Sequence, residues 1–180
     1  LEENDPLTLI TQAVYARILS SLSEDRNHAS QIYSNFSTAS QRVSNIEANA
    51  IKNALYASKI ISYAQGFSLL KKASDRYQWN LDLGSIAMIW RKGCIRSAFL
   101  NRITQAYTEN PYLENLLFDE YFINTINGLL VNWRQVISEG VLQGIPLPCM
   151  SAALSYFDGL RTRHSTANLI QAQRDYFGAH

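Results

Sequence analysis

The chain has 180 residues and a net charge of +1, and 47% of its residues are hydrophobic, enough to form a sizeable core. A chain of this length buries roughly 70% of the surface that its unfolded form exposes. Its charges are balanced and scattered, which disfavours nucleic-acid binding, because that requires clustered Lys and Arg to displace counterions. No stretch of the sequence predicts a membrane span, and no signal-like segment opens the chain.

The cysteines and histidines carry no metal or redox motif. Cys94 and Cys149 lie far apart, and neither has a partner at CxxC or CxxH spacing. A disulfide framework and a metal site are therefore disfavoured, and a reducing, cytoplasmic compartment fits this cysteine usage. His28 and His164 also lack the spacing of metal ligands. The chain begins with Leu1 rather than Met, so we expect it to be an interior piece of a longer protein.

Helical periodicity recurs along nearly the whole chain, and no convincing alternating strand interrupts it. Short loops between the periodic segments predict one all-α domain over residues 1–180, with 167–180 as a C-terminal tail helix. The polar run 34–44 is predicted to be a loop. The predicted helices that precede the tail cover, in chain order, about 6–32, 46–77, 82–93, 96–108, 120–142 and 148–161.

Capping and breaking residues set several of these bounds. Asp82 is placed to cap the third helix, which Gly93 interrupts. The fourth helix is predicted to stop before the Asn-Pro pair at 110–111, because the residue before a proline avoids the helical conformation. Pro148 suits the first position of the sixth helix, where a missing N–H costs nothing.

The tail, residues 169–180, predicts a short amphipathic helix that ends at Gly178. A glycine there can take the left-handed conformation that follows a helix, so the next residues would leave the helix in a fixed direction. Arg174 in the last turns and His180 beyond the cap offer a permanent cation and a near-neutral donor, which suit a phosphorylated ligand. In the alternative interpretation Arg174 complements the helix dipole and His180 is solvated.

Arg17 is the only charged residue between positions 6 and 23. Helical angles place it among Ile10, Ala13 and Val14, and a guanidinium buried on such a face needs an anionic partner. One alternative is an ion pair with a distant Asp or Glu. The other is a ligand phosphate held by two parallel hydrogen bonds, for which Arg is well shaped.

The remaining candidates predict packing rather than chemistry. Lys59 is also a lone charge in an apolar stretch, and we expect it to extend its ammonium to the surface or to pair with a neighbouring carboxylate. The three tryptophans are expected to pack in the core. The sequence has no G-x-G-x-x-G loop, and no nucleophile, base and orienting group can be assembled from it. The residues alone therefore predict anion binding without reaction machinery.

The segment LIQAQRDYFGAH at 169–180 strongly resembles the C-terminal signature of 6-phosphogluconate dehydrogenases. The resemblance extends over nearly the whole chain, and the chain is identified by it as the interior of that family's all-helical C-terminal domain. The other matching segments are LITQAVYARILSSL at 9–22, ALYASKIISYAQGF at 54–67, IWRKGCI at 89–95, GIPLPC at 144–149 and LSYFDGLR at 154–161.

This resemblance implies NADP-dependent oxidative decarboxylation of 6-phosphogluconate to ribulose 5-phosphate, with hydride transfer from C3 before decarboxylation and tautomerisation. It places the NADP-binding Rossmann domain, the general base and acid (a Lys and a Glu) and a Gly-Thr-Gly-Lys-x-Thr segment before Leu1. No catalytic, cofactor-binding or metal-binding residue is therefore expected in this chain, and the chain alone is expected to be inactive. Its expected role is to bind and orient the substrate.

Three substrate-binding residues of the family match positions in this chain. By the resemblance, Arg17 binds the substrate phosphate, and Arg174 binds the same phosphate from the partner subunit of a homodimer. His180 corresponds to a His that reaches the substrate from that partner. The expected partners are thus 6-phosphogluconate and a second copy of the chain, with neither nucleic acid nor membrane.

One departure and two rival functions accompany this assignment. Family members usually carry Gly-Cys-Ile-Ile-Arg, whereas this chain has Gly-Cys-Ile-Arg at 93–96. A deletion of one residue rotates the later helical residues by about 100° unless a break in the helix absorbs it.

A related β-hydroxyacid dehydrogenase is one rival function, although a substrate without phosphate gives the two arginines nothing to bind. The other rival is a helical dimerisation module.

Overall fold

The computed structural model describes residues 5–34, 45–92 and 98–178, and these residues form eight α-helices, one short 3₁₀ turn and no strand. The all-α prediction is therefore confirmed. The helices are α1 (Thr8–Ser21), α2 (Ser23–Ile32), α3 (Ala48–Tyr77), α4 (Leu83–Lys92), α5 (Phe99–Glu109), α6 (Glu120–Leu142), α7 (Pro148–Arg161) and α8 (Ala167–Phe177), with the 3₁₀ turn Leu116–Phe118 before α6.

The long helix α3 forms the centre of the fold, and α6, α7 and the 3₁₀ turn pack along it. Ala54, Ala57 and Ala64 are fully buried on α3, and such small side chains let neighbouring helices approach closely. Larger side chains of the same helix fill the core at Ile60, Ile61 and Phe67. α4 and α5 pack against each other, and α1 packs on α7.

Aromatic rings join α3 to α4, α5 and α6. The ring of Phe67 lies 5.3 Å from that of Trp90 and 5.6 Å from that of Tyr107, measured between centroids. The ring of Phe99, on α5, meets that of Tyr63, on α3, at 5.2 Å and that of Phe122, on α6, at 5.8 Å, both edge to face. Edge-to-face and offset pairs of this kind add to the stabilisation from burial. The tryptophans at 90 and 133 pack against the core, as predicted, but the prediction was wrong for Trp79, which is 56% exposed and stacks on Tyr77.

The helix bounds in the second half of the chain agree closely with the predictions. α6 and α7 have the predicted bounds, and Pro148 is the first residue of α7. Asp82 caps α4 as predicted, because its Oδ1 accepts the Ser85 N–H at 3.1 Å. The 3₁₀ turn, where Asn115 accepts the Leu117 N–H, was not predicted from the sequence.

The prediction of one continuous helix over 6–32 was wrong, because the helix breaks at Leu22, which has φ −80° and ψ 63°. The hydroxyls of Ser20 and Ser21 donate to the carbonyls three residues earlier, at 2.7 Å each. These bonds compete with the helical ladder. Arg26 on α2 donates to the Ser20 carbonyl at 3.0 Å and so satisfies one of the last carbonyls of α1. The predicted loop at 34–44, except for its first residue, and the shortened segment at 93–96 lie outside the described residues.

Candidate functional site

Arg17 belongs to an apolar stripe on α1 that faces solvent. Ile10, Val14 and Ile18 are 40%, 53% and 54% exposed, and they recur at helical spacing around Arg17, which is also exposed. The other side of α1 packs on α7 and α3 through Leu9, which is buried. The prediction that Arg17 shares a stripe with Ile10 and Val14 is confirmed.

The expectation that Arg17 is buried was wrong, because α1 turns this stripe away from the core. Among the described residues, no carboxylate forms an ion pair with the Arg17 guanidinium. Of the two alternatives for its partner, the intramolecular ion pair therefore has no support in the described part of the chain. A solvated guanidinium among exposed apolar side chains is available to a ligand or to another subunit.

Gln65 fixes the start of α1. It is fully buried on α3, its Oε1 accepts the Leu9 N–H at 3.1 Å, and its Nε2 donates to Thr8 Oγ1 at 3.0 Å. The first N–H groups of a helix have no partner within the helix, so this side chain replaces water there. This role of Gln65 was not predicted, although a Gln in the apolar run 60–70 was a signal for a buried polar contact.

α8 contains no buried residue. Its apolar side chains Leu169, Ile170, Tyr176 and Phe177 are 77%, 58%, 87% and 79% exposed. Exposed apolar side chains grouped on one short helix are typical of a surface that another protein covers. Arg174 lies in the last turn of this helix and is exposed as well.

Gly178 ends α8, as predicted, with φ of 147°. Its ψ of 117° places it outside the left-handed helical region that was predicted. A positive φ of this size favours glycine, because it strains any residue with a Cβ. His180 lies outside the described residues, so its role stays a prediction.

Lys59 is half-buried, and its ammonium lies 5.2 Å from the centroid of the Phe99 ring. A separate cavity of about 840 Å³ lies between α3, α4 and α5, and neither Arg17 nor Arg174 lines it. Within the described ranges there is no cluster of metal-ligating side chains, and no helix is long and apolar enough to cross a membrane.

The comparison with protein families decides the assignment. The model of the 6-phosphogluconate dehydrogenase C-terminal domain matches residues 1–180, which is the whole chain. The chain belongs to this family. The implied membership is thus confirmed over the full sequence, including the segments that hold Arg17 and Arg174.

Individual relatives agree with the family model. The decarboxylating 6-phosphogluconate dehydrogenase of Mus musculus is 51% identical over 187 residues, which cover 100% of this chain and 38% of the mouse protein. That of Haemophilus ducreyi is 48% identical and matches 97% of this chain and 36% of the bacterial protein. The chain therefore spans somewhat more than a third of the length of these relatives.

A solved structure shares the fold. The Plasmodium falciparum 6-phosphogluconate dehydrogenase superposes with a TM-score of 0.88 and 41% sequence identity, over 99% of this chain and 39% of that one. The P. falciparum enzyme is described in its apo form, in complex with its cofactor NADP+ and in complex with its substrate 6-phosphogluconate.

Proposed function

We propose that this chain is the part of an NADP-dependent, decarboxylating 6-phosphogluconate dehydrogenase that binds the substrate phosphate and forms the homodimer. The observation that carries the proposal is the pair of exposed arginines, Arg17 on the solvent-facing stripe of α1 and Arg174 on the fully exposed helix α8. The reaction is inferred from the similarity of the whole chain to such dehydrogenases.

The phosphate is held, in this proposal, by guanidinium groups from two subunits. Each guanidinium has donors in a planar fork that fits two phosphate oxygens. Neither Arg17 nor Arg174 forms an ion pair within the described residues, so the N–H donors of both guanidinium groups can bind a dianion. His180, just past the end of α8, completes the site from the same subunit as Arg174.

The dimer interface is assigned to α8. Burying an exposed Leu, Ile or Phe side chain contributes about 1.5–3 kcal/mol, and α8 has four large apolar side chains that its own subunit leaves exposed. A second copy of the chain that covers them would bring Arg174 of one subunit towards Arg17 of the other. Catalysis and dimerisation would then depend on the same helix.

Binding of the remote phosphate serves the reaction by orientation. The phosphate group takes no part in the chemistry at C3, so the energy of its binding can be used to position C3 for hydride transfer. The sequence has no glycine-rich dinucleotide-binding loop. NADP is assigned to a domain outside this chain. Residues 1–180 are assigned to one helical domain. The free thiol of Cys149 fits a cytoplasmic protein, because cysteines stay reduced in that compartment.

The test is steady-state kinetics of the full-length dehydrogenase with Arg17→Ala and, separately, Arg174→Ala. Loss of a charge-assisted contact of about 1.5–3 kcal/mol predicts a KM for 6-phosphogluconate that rises roughly 10- to 150-fold. Oxidation of unphosphorylated gluconate should change little, because this substrate has no phosphate for either arginine. Preference for the phosphorylated substrate should therefore fall in both variants.

Arg163→Ala is the matched control, since Arg163 is an exposed arginine in the turn between α7 and α8. It should keep the kinetic constants of the unmodified enzyme. If Arg17→Ala and Arg174→Ala also keep them, the chain is a helical dimerisation module without a part in substrate binding. If both substrates are affected equally, the arginines act on the fold or on C3 and not on the phosphate.

A further inference from the structure

We propose that Gln65 is a positioning residue: by holding the first turn of α1 against α3, it sets where the Arg17 guanidinium meets the substrate phosphate. Gln65 contacts no ligand in this proposal and acts through the helix that carries Arg17. The role rests on the proposed function, in which Arg17 binds the phosphate, and it adds a residue outside the phosphate site on which substrate affinity depends.

α1 is held by its own subunit mainly at its start. Within this helix, which the structure describes completely, Leu9 is the one buried residue. Gln12 and Ala16 follow it at helical spacing and are only half-buried, and Arg17 and the four residues after it are exposed. The half of α1 that carries Arg17 has no fully buried side chain, so its direction depends strongly on how the first turn is held.

Gln65 holds this first turn at two points. Its Oε1 accepts the Leu9 N–H at 3.1 Å, and its Nε2 donates to Thr8 Oγ1 at 3.0 Å. Adjacent residues lie about 100° apart around a helix axis, so the two bonds together oppose both tilt and rotation of α1. Gln65 is itself fully buried on the central helix α3, as is its neighbour Ala64, and it therefore provides a rigid support.

A small change of direction at the first turn becomes large at Arg17. Arg17 lies eight residues beyond Leu9, which is about 12 Å along the helix. Over this length, a tilt of about 5° moves the backbone of Arg17 by roughly 1 Å. A misplacement of about 1 Å can lower a rate roughly 100-fold when it affects a group that positions the substrate. Substrate affinity should therefore depend on the contact between Gln65 and α1.

A second contact would keep α1 attached if the bonds to Gln65 were lost. The Lys72 ammonium, about two turns further along α3, lies 3.5 Å from Oδ1 of Asp5, whose side chain is almost completely buried. This ion pair and the burial of Leu9 hold the start of α1 independently of Gln65. Without the amide of Gln65, α1 should thus tilt about its start, and Arg17 should be misplaced in a protein that remains folded.

The experiment is steady-state kinetics of the full-length dehydrogenase with Gln65→Met, which keeps the side-chain volume and removes the amide. The KM for 6-phosphogluconate should rise about three- to tenfold, as expected if the Arg17 guanidinium loses one of its two hydrogen bonds to the phosphate. The kcat should stay within about twofold, and oxidation of unphosphorylated gluconate should not change. A general loss of folded enzyme would instead lower the oxidation of both substrates.

Thr8 offers a milder pair of variants. Thr8→Val removes the oxygen that accepts from Gln65 Nε2 and should raise the KM for 6-phosphogluconate about two- to threefold. Thr8→Ser keeps that oxygen and should retain the KM of the unmodified enzyme. Asp82→Ala is the control for lost stability, because it removes the cap of α4, and it should leave this KM unchanged.

A double-mutant cycle with Arg17 separates positioning from other effects. In the Arg17→Ala background, Gln65→Met should cause no further rise in KM, since the group that it positions is gone. A full further rise there, or no rise with Gln65→Met in the enzyme that keeps Arg17, would overturn the positioning role and leave the proposed function standing. If Arg17→Ala itself leaves KM unchanged, the proposed function fails and the positioning role fails with it.

Discussion

The buried side chain of Gln65 holds the first turn of α1 by two hydrogen bonds, of which the 3.1 Å bond from Leu9 N–H to Gln65 Oε1 is itself buried. Arg17 lies about two turns further along the same helix. The position of Arg17 relative to the core therefore depends on a polar contact between α1 and α3 as well as on apolar packing.

Gln65→Met keeps the volume of this side chain but removes its donor and acceptor. We expect the free energy of unfolding to fall by about 1–3 kcal/mol, because the Leu9 N–H loses its partner in a buried position. Urea denaturation measures the loss, and amide exchange at Leu9 should accelerate. Gln135→Met, at an exposed position of α6, is the control and should change stability little.

Asp82→Ala removes the cap of α4. We expect the free energy of unfolding to fall by about 1 kcal/mol, because the Ser85 N–H loses its acceptor. Hydrogen bonds from Ser85 lower the pKa of Asp82 below its ordinary value of 3.8. The contribution of Asp82 to stability is therefore fully present above pH 3.8 and is lost as the pH falls through the lowered pKa. Urea denaturation at pH 7 and pH 2.5 should show a smaller difference between variant and parent at the lower pH.

Asp158, on α7, is linked to α6 through Arg134, which donates to both of its carboxylate oxygens, and it also accepts from Arg161 of its own helix at 3.0 Å. The hydrogen bonds from Arg134, foremost, lower the pKa of Asp158, so this stabilisation also disappears as the pH falls below 3.8. Because Arg134 and Asp158 are 41% and 34% exposed, solvent screening limits the contribution to about 1 kcal/mol.

A double-mutant cycle with Asp158→Asn and Arg134→Met measures this coupling directly. The losses of unfolding free energy caused by the two substitutions should be less than additive at pH 7 and close to additive below pH 3. A coupling that is unchanged between these pH values would show that the carboxylate charge is not what joins the two helices.

The apolar face of α8 gives a prediction about assembly. Leu169→Ser combined with Tyr176→Ser should raise the dissociation constant of the dimer at least tenfold, since each side chain contributes about 1.5–3 kcal/mol when buried. Sedimentation equilibrium checks this. Gln173→Ser, an exposed polar position on the same helix, should leave the dimer intact, and equal weakening by both variants would mean that α8 helicity is the cause.

The sequence allowed the helices to be placed well wherever a capping residue marked the bound. Asp82, Pro148 and Gly178 each stand within one residue of a helix end that was predicted from them. The break at Leu22 was not predicted, because the hydrophobic pattern only fades after Leu22 and the contact of Arg26 with the Ser20 carbonyl cannot be read from the sequence.

The candidate site could be predicted only in part. The stripe around Arg17 followed from helical spacing, but its exposure did not, since periodicity shows that a face is apolar without showing what covers it.

The central claim, that each phosphate is held by arginines from two subunits, is tested most directly by a heterodimer of one Arg17→Ala subunit and one Arg174→Ala subunit, isolated with two different affinity tags. One site of this heterodimer then has both arginines and the other has neither, so the account predicts about half of the activity of the unmodified dimer at low 6-phosphogluconate. Activity no higher than that of the two single-variant homodimers would contradict it, because both arginines would then serve one site within one subunit.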